Sequence, residues 1–220
     1  MILSNYEIND FVPNNKTRLY TYANPTNYYF LLKHSKKFDK IYSDGLLLTF
    51  LYNKKTKSVL ERYSPDDTSL LPLLFDSCKQ HNLKIFFVGC TSEQIQLSVE
   101  NISNKYNLKT SVGFIDGYKT VDELVSLSLK FDFDVCISGL GSPKQEKYLY
   151  RLSKIYHKPF IGMACGGYLY QSFYSHCYYP TFINKFNLRW LLRFIRHSHV
   201  RRKLIYEYPK FMLKWYGVLK

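Results

Sequence analysis

The stretch Phe133-Asp134-Val135-Cys136-Ile137-Ser138-Gly139-Leu140-Gly141-Ser142-Pro143-Lys144-Gln145-Glu146 decides the fold of this chain. An apolar run, Phe133 to Ser138, has the length and composition of a buried strand. Two glycines and a proline end it, and a helix-like segment, Pro143 to Tyr156, opens behind them. In doubly wound α/β proteins ligands bind at that place, where a strand's carboxyl end meets a helix's amino end. Gly139 and Gly141 would let backbone approach a bulky ligand, and Gln145 and Glu146 would sit in the first helical turn.

The pattern repeats outward from this stretch. Strand-like segments are predicted at Thr17 to Ala23, Lys40 to Ser43, Leu83 to Val88, Leu108 to Val112 and Pro159 to Met163. Helical patterns stand between them: Pro25 to Lys37, Thr91 or Ser92 to about Lys105, and Thr120 to Lys130. Glu93 suits a positive helix end, and Thr120 with Glu123 has capping-box spacing. Strands separated by helical segments predict βαβ units, hence a Rossmann-like α/β core with a mainly parallel sheet flanked by helices. Gly113 and Asp116-Gly117 read as a turn. The composition shifts after Tyr178-Tyr179-Pro180, so we expect a core over 1–180 and a basic, aromatic, helical C-terminal appendage over 181–220.

The chain has 220 residues, 46% of them hydrophobic, enough for one folded domain with a real core. It holds 21 tyrosines, and many are expected to be half exposed for want of hydroxyl partners in a single core. Five cysteines without metal-ligand spacing suggest a reduced, cytoplasmic protein. Neither a signal peptide nor a membrane-spanning run is evident. The net charge is +14, and residues 181–220 concentrate it, with ten Lys/Arg against Glu207 alone. A phosphate-rich partner, nucleic acid or an anionic membrane surface would each suit that excess.

Four further segments complete a pattern. Asp44-Gly45 follows the strand Lys40 to Ser43. Arg62 lies 18 residues after Asp44 in Glu61-Arg62-Tyr63-Ser64-Pro65. Gly141-Ser142-Pro143-Lys144-Gln145-Glu146 is a Gly-x-Pro-x-Gln-Glu motif, and Cys165-Gly166-Gly167 ends another strand. In this order the segments resemble the WecG/TagA/CpsF family of bacterial glycosyltransferases, from about Thr21 to about Tyr208. The resemblance implies inverting transfer of a sugar, of N-acetylmannosamine type or a related hexose, from a UDP-sugar to a polyprenyl-diphosphate-linked saccharide in surface polysaccharide synthesis such as capsule or O-antigen. It implies Asp44 as catalytic base, Arg62 in the active site, and Asn24, Gly45, Gly139, Gly141, Gln145, Glu146, Gly166 and Gly167 around substrate. The family's Thr-x-Asn motif is matched by Tyr22-Ala23-Asn24, with Thr21 one residue away, and its usual Phe-Asp step gives way to Tyr168-Leu169 after the glycine pair.

At the C-terminus Leu188, Leu191, Leu192 and Ile195 form one helical face beside a stripe of Arg189, Arg193 and Arg196. The resemblance places appendage arginines in the active site, with Arg193, Arg196 and Arg201 as counterparts. Such a segment, with Trp190, Phe211, Trp215 and Tyr216, would suit peripheral binding to the anionic inner face of the plasma membrane. Transfer independent of metal or other cofactor is expected. Asp132-Phe133-Asp134 has a metal-binding string but sits at a strand's start. A homo-oligomer is compatible with the sequence. The rival reading is a basic α/β nucleic-acid-binding protein without transferase activity. It lacks an RNP-type, helix-turn-helix or zinc-finger pattern, so no nucleic-acid partner is expected.

Overall fold

A computed structural model of the chain describes residues 2–174 and 201–218. Among these, six strands form one all-parallel sheet: β1 (Arg18–Ala23), β2 (Lys40–Ser43), β3 (Ile85–Gly89), β4 (Ser111–Ile115), β5 (Val135–Gly139) and β6 (Ile161–Ala164), in the order β2-β1-β6-β5-β3-β4. Helices α1 (Tyr28–His34), α2 (Leu46–Thr56), α3 (Leu70–Gln80), α4 (Ser92–Tyr106), α5 (Val121–Ser128), α6 (Lys144–Ile155) and α7 (Tyr168–Phe173) cover it, and α8 (Tyr208–Trp215) follows near the C-terminus. After β3 the chain moves outward to β4, whereas after β5 it moves inward to β6. The strand order therefore diverges between β3 and β5, where a doubly wound sheet opens a crevice. Gly89 and Gly139 are register partners at that opening. A Cβ on Gly89 would lie 2.9 Å from the Gly139 carbonyl oxygen, so this junction requires glycine for packing.

Local sequence sets most element ends. Thr91 and Thr120 each accept a hydrogen bond from the backbone three residues on, and Gln94 and Glu123 return it, closing two capping boxes. The segment expected as a strand from Leu108 begins instead at Ser111. Asn107 adopts a left-handed conformation, and the Leu108 amide bonds back to the Ser103 carbonyl (2.9 Å), so Leu108 closes α4. Gly113 lies inside β4, not in a turn, because the Phe131 ring covers it: a Cβ there would meet that ring at 2.4 Å. The long connection from β2 to β3 holds two helices, α2 and α3, that the sequence reading left unassigned.

Alternate strand residues feed opposite faces of the sheet. Tyr20, Tyr22, Ile85, Phe87, Ile137 and Met163 pack against α3, α4 and α7. Leu19, Phe86, Val88, Cys136 and Ala164 pack toward α5 and α6. Many described tyrosines are part-exposed, as expected, and hydroxyl partners accompany several of the buried ones. Tyr42 donates to the Asp10 carboxylate (2.8 Å), Tyr148 pairs with Ser128 (2.7 Å), and Tyr52 accepts from the Leu3 amide (3.1 Å). A third cluster joins Leu31, Leu48 and Leu51 to Phe211 of α8, which is 2% exposed and packs edge-on against Tyr28 with centroids 5.7 Å apart. Lys55 lies 4.8 Å over the Trp215 ring. Phe211 is thus a docking residue of α8 and not the surface aromatic expected.

The loop behind Arg62 is tied across the molecule by Asp67. Its carboxylate accepts from Tyr106 and Tyr168 (both 2.7 Å) and from Lys105 (2.6 Å). Burial pushes this carboxyl upward, but the hydrogen bonds from Lys105, Tyr168 and Tyr106 outweigh it and hold it below its ordinary value of 3.8.

Two outcomes follow from this packing. Phe211→Ala should weaken α8 docking by about 3–5 kcal/mol, the usual result of emptying a buried phenylalanine site, and limited trypsin digestion should then cut at Lys210 and Lys214 much faster. Asp67→Asn should cost on the order of 1 kcal/mol at neutral pH, given the carboxylate's partial exposure. A depressed carboxyl stabilises above its unfolded value and loses that contribution as pH falls through its folded value. Urea titrations should therefore show the wild-type advantage over Asp67→Asn shrinking below about pH 4; an advantage independent of pH would contradict the assignment.

Candidate active site

The carboxyl ends of β1, β2, β5 and β6 carry the sequence-predicted residues to one edge of the sheet. Asn24 follows β1, Asp44 and Gly45 follow β2, Gly139 and Gly141 follow β5, and Gly166 and Gly167 follow β6. Arg62 arrives from the distant loop after α2 by forming a parallel bridge with Ser43. The Tyr63 amide seals it by donating to the Ser43 carbonyl (2.8 Å). The Asp44 amide in turn donates to the Ala23 carbonyl (2.8 Å). This backbone brings Arg62 Nη2 to 3.7 Å from Asp44 Oδ1, with both side chains about one quarter to one third exposed, 26% for Asp44 and 31% for Arg62. The Arg62 Nε is buried without a hydrogen-bond partner among the described residues. A carboxylate and a guanidinium, paired yet open to solvent, can take a proton and hold an anion.

The glycines divide into two kinds. Gly139 is a packing residue, since a Cβ on it would stand 2.9 Å from the Leu169 side chain. Gly141 (φ +76°) and Gly166 (φ +56°) adopt left-handed backbone conformations, and a Cβ there would meet nothing within 4 Å. Gly45 faces open space as well, while Gly167 starts α7 with the Gln171 amide 3.5 Å from its Cβ position. Gly45 is open directly beside Asp44, Gly141 and Gly166 are open at the ends of β5 and β6, and Gly139 packs behind them.

Gln145 and Glu146 are buried, at 5% and 1% exposure. Glu146 Oε1 accepts from the Thr21 hydroxyl of β1 (2.9 Å) and from the Gln145 amide (3.0 Å). Gln145 Oε1 accepts from the Gly166 amide (3.1 Å), so this network reaches from β1 through α6 to the loop after β6. The second Glu146 oxygen is buried without a partner among the described residues. Asn24 accepts from the Thr26 amide (2.9 Å) and hydroxyl (2.7 Å), shaping the turn before α1. Asn27 spans from the Tyr22 carbonyl (2.8 Å) to Ser142 (3.4 Å), beside the cis Ser142–Pro143 bond.

Thr21, Asn27, Ser142, Asp67 and Tyr168 were not singled out from sequence as site-supporting residues. Thr21 is the polar member of the strand face that also carries Leu19 and Ala23, and that break in an apolar face was its available signal. Tyr168 explains the departure after the glycine pair, because its hydroxyl restrains the Arg62 loop through Asp67. Arg193 and Arg196 lie outside the described residues. Arg201 is exposed at the start of the helical segment leading into α8.

At the same edge, a cleft of about 520 Å³ separates Tyr118, Lys119 and Thr120 from Pro143, Lys144 and Lys147. Lys144 is anchored to the Gly117 carbonyl (2.7 Å). Burial pushes the Cys90 thiol up to about 11, and that of Cys165 higher still, so neither serves as a thiolate nucleophile at neutral pH. Asp132 and Asp134 occupy the opposite end of the sheet, where Lys158 binds both (2.6 and 3.0 Å) and Lys84 binds Asp132 (2.6 Å). Among the described residues no group of three or more His, Cys, Asp or Glu side chains is arranged to hold a metal, and no helix is long and apolar enough to cross a membrane.

Comparison with known proteins agrees with this architecture. The profile of the Glycosyl transferase WecG/TagA/CpsF family matches residues 6–219. A relative from Shigella boydii, UDP-Gal:alpha-D-GlcNAc-diphosphoundecaprenol beta-1,4-galactosyltransferase, is 32% identical over 215 residues, covering 95% of this chain and 90% of its own length. A match of that extent, on a parallel sheet carrying Asp44-Gly45, Arg62 and the Gln145-Glu146 motif at one edge, places this chain among the glycosyltransferases of the WecG/TagA/CpsF family.

Proposed function

We propose that this glycosyltransferase moves a hexose from a UDP-sugar to N-acetylglucosamine carried on a polyprenyl diphosphate, with galactose as the donor sugar. The Asp44–Arg62 pair, 3.7 Å apart beside Gly45, which faces open space, is the observation that carries the reading. The activity of the Shigella relative supports galactose over the N-acetylmannosamine type expected from the family resemblance.

The chemistry assigned to the pair is a single displacement with inversion. The acceptor hydroxyl oxygen attacks the anomeric carbon, the bond to the diphosphate oxygen breaks, and the hydroxyl proton passes to Asp44. UDP leaves with the bonding electrons. Arg62, whose fork of donors matches a phosphate, stabilises the charge that develops on it. Arg201, with Arg193 and Arg196 from the segment outside the described residues, would add cations to the leaving group. In this reading cationic side chains serve where other glycosyltransferases use a divalent ion. A lipid-linked acceptor supports a setting at the membrane, for which the inner face of the plasma membrane is the one proposed.

Incubation with a panel of UDP-sugars and a synthetic polyprenyl-diphosphate N-acetylglucosamine, followed by UDP release and lipid product mass, tests the donor. UDP-galactose should support acceptor-dependent release. Turnover with UDP-N-acetylmannosamine and none with UDP-galactose would overturn that choice. Asp44→Asn should lower kcat by about 10²–10⁴-fold at unchanged Tm, the range lost with a general base. A folded Asp44→Asn enzyme with full rate would remove Asp44 from the mechanism.

A further inference from the structure

Helix α2 begins directly behind Asp44-Gly45, and its first two turns leave Leu46 and Phe50 exposed, at 62% and 64%. The two residues are four apart and form one ridge on the helix surface. The other flank, Leu48, Leu51 and Tyr52, is buried against the cluster that holds Phe211. Lys54 continues the exposed row one turn later, and Lys57 ends the helix, both open to solvent. Thus α2 has an apolar exposed flank beside the candidate base and a cationic end away from it. Helix α8, tied to α2 through Lys55 and Trp215, also exposes Leu213 and Tyr216.

Single exposed apolar side chains are ordinary on protein surfaces, but Leu46 and Phe50 stand as a pair on one helix face directly after the candidate base. With its sugar hydroxyl at Asp44, the acceptor's saccharide and diphosphate must run outward from the crevice, and its apolar chain must begin close to the surface around it. Leu46 to Phe50 is a rise of about 6 Å along the helix, a short step from the base. Lysines beyond the ridge complement anionic headgroups of the leaflet from which the chain emerges.

We propose that the Leu46–Phe50 ridge receives the apolar chain of the polyprenyl-diphosphate acceptor where it leaves the membrane. The inference rests on the proposed function. It adds an acceptor-chain contact on α2 to the membrane-surface binding expected of the C-terminal segment, and it makes the ridge a determinant of acceptor chain length.

The test compares the full chain with its Leu46→Ser/Phe50→Ser variant. Both are assayed with N-acetylglucosamine diphosphate on a long polyprenyl chain in phosphatidylglycerol-containing vesicles, and with the same headgroup on a short, water-soluble alkyl chain. Vesicle co-sedimentation and Tm are measured alongside. The variant should show a KM at least tenfold higher for the long-chain acceptor, unchanged kinetics on the short one, weaker co-sedimentation and an unchanged Tm. An equal loss on both acceptors with a lowered Tm would mean that another part of this chain covers the ridge, and would overturn the proposal. So would a concentration-dependent dimer that only the wild type forms, or a variant indistinguishable from wild type. If the wild type turns over neither acceptor, the proposed function itself fails. Co-sedimentation then decides the ridge separately: a variant that still binds vesicles overturns the lipid contact, and one that releases them supports it.

Discussion

A buried carboxyl group, that of Glu146, holds the crevice together. Taking such a group out of water costs several kcal/mol unless its environment answers it. Here the answer comes from three directions. The Thr21 hydroxyl and the Gln145 amide both donate to Oε1, and Glu146 stands in the first turn of α6, where the helix dipole favours negative charge. Each donor belongs to a different part of the site. Thr21 fixes β1, whose end leads into Asn24. Gln145 passes the constraint to the Gly166 amide and so to the loop after β6. Because the pieces share one acceptor, they cannot shift independently. The alignment of β1, α6 and the loop after β6 behind the crevice follows from the hydrogen bonds gathered at Glu146 Oε1 and passed on by Gln145, while Oε2 is buried without a partner among the described residues.

The opposite wall depends on a second carboxylate used in a similar way. Asp67 gathers Tyr106, Lys105 and Tyr168, and so joins the loop that carries Arg62 to α4 and α7. Tyr168 follows the Gly166-Gly167 loop that Gln145 holds. The Glu146 and Asp67 networks therefore meet at the end of β6, one fixing the loop from the α6 side and the other from the α3–α4 side. Asp44 and Arg62 lie in neither network. They remain partly exposed, as groups that must meet substrate should, while the groups that position their surroundings are buried.

The sequence disclosed the parts of this arrangement that depend on local rules. Alternation of apolar runs with capped helices gave the parallel sheet, and glycines at strand ends gave the crevice. The Thr120–Glu123 capping box was legible because its chemistry is complete within four residues. What stayed hidden depends on distant partners. The Glu146–Thr21 bond spans 125 residues and the Tyr168–Asp67 bond 101, so local sequence does not show which residues pair. The start of β4 was misplaced for a local reason, since Leu108 is apolar both as a helix-closing residue and as a strand opener, and only the left-handed Asn107 decides between them. Gly139 and Gly141 look alike in sequence, yet one packs against Leu169 and the other borders open space.

Division of labour between backbone and side chains also bears on how such an enzyme can change its sugar. The crevice is shaped by strand ends, left-handed glycines and buried carboxyl networks, none of which reads the hydroxyl pattern of a hexose. A donor of different stereochemistry alters only which hydroxyls or acetamido group point to the walls, and discrimination arises where a site's polar groups are matched or left unmatched. The cleft between Tyr118–Thr120 and Pro143–Lys147 is built from the turn before α5 on one side and the first turn of α6 on the other, joined by the Lys144–Gly117 contact. None of its lining residues takes part in the Glu146 or Asp67 hydrogen bonds described above. Departures from the family pattern that fall on the buried networks, such as Tyr168, are accounted for by packing and hydrogen bonding, and so say little about the donor.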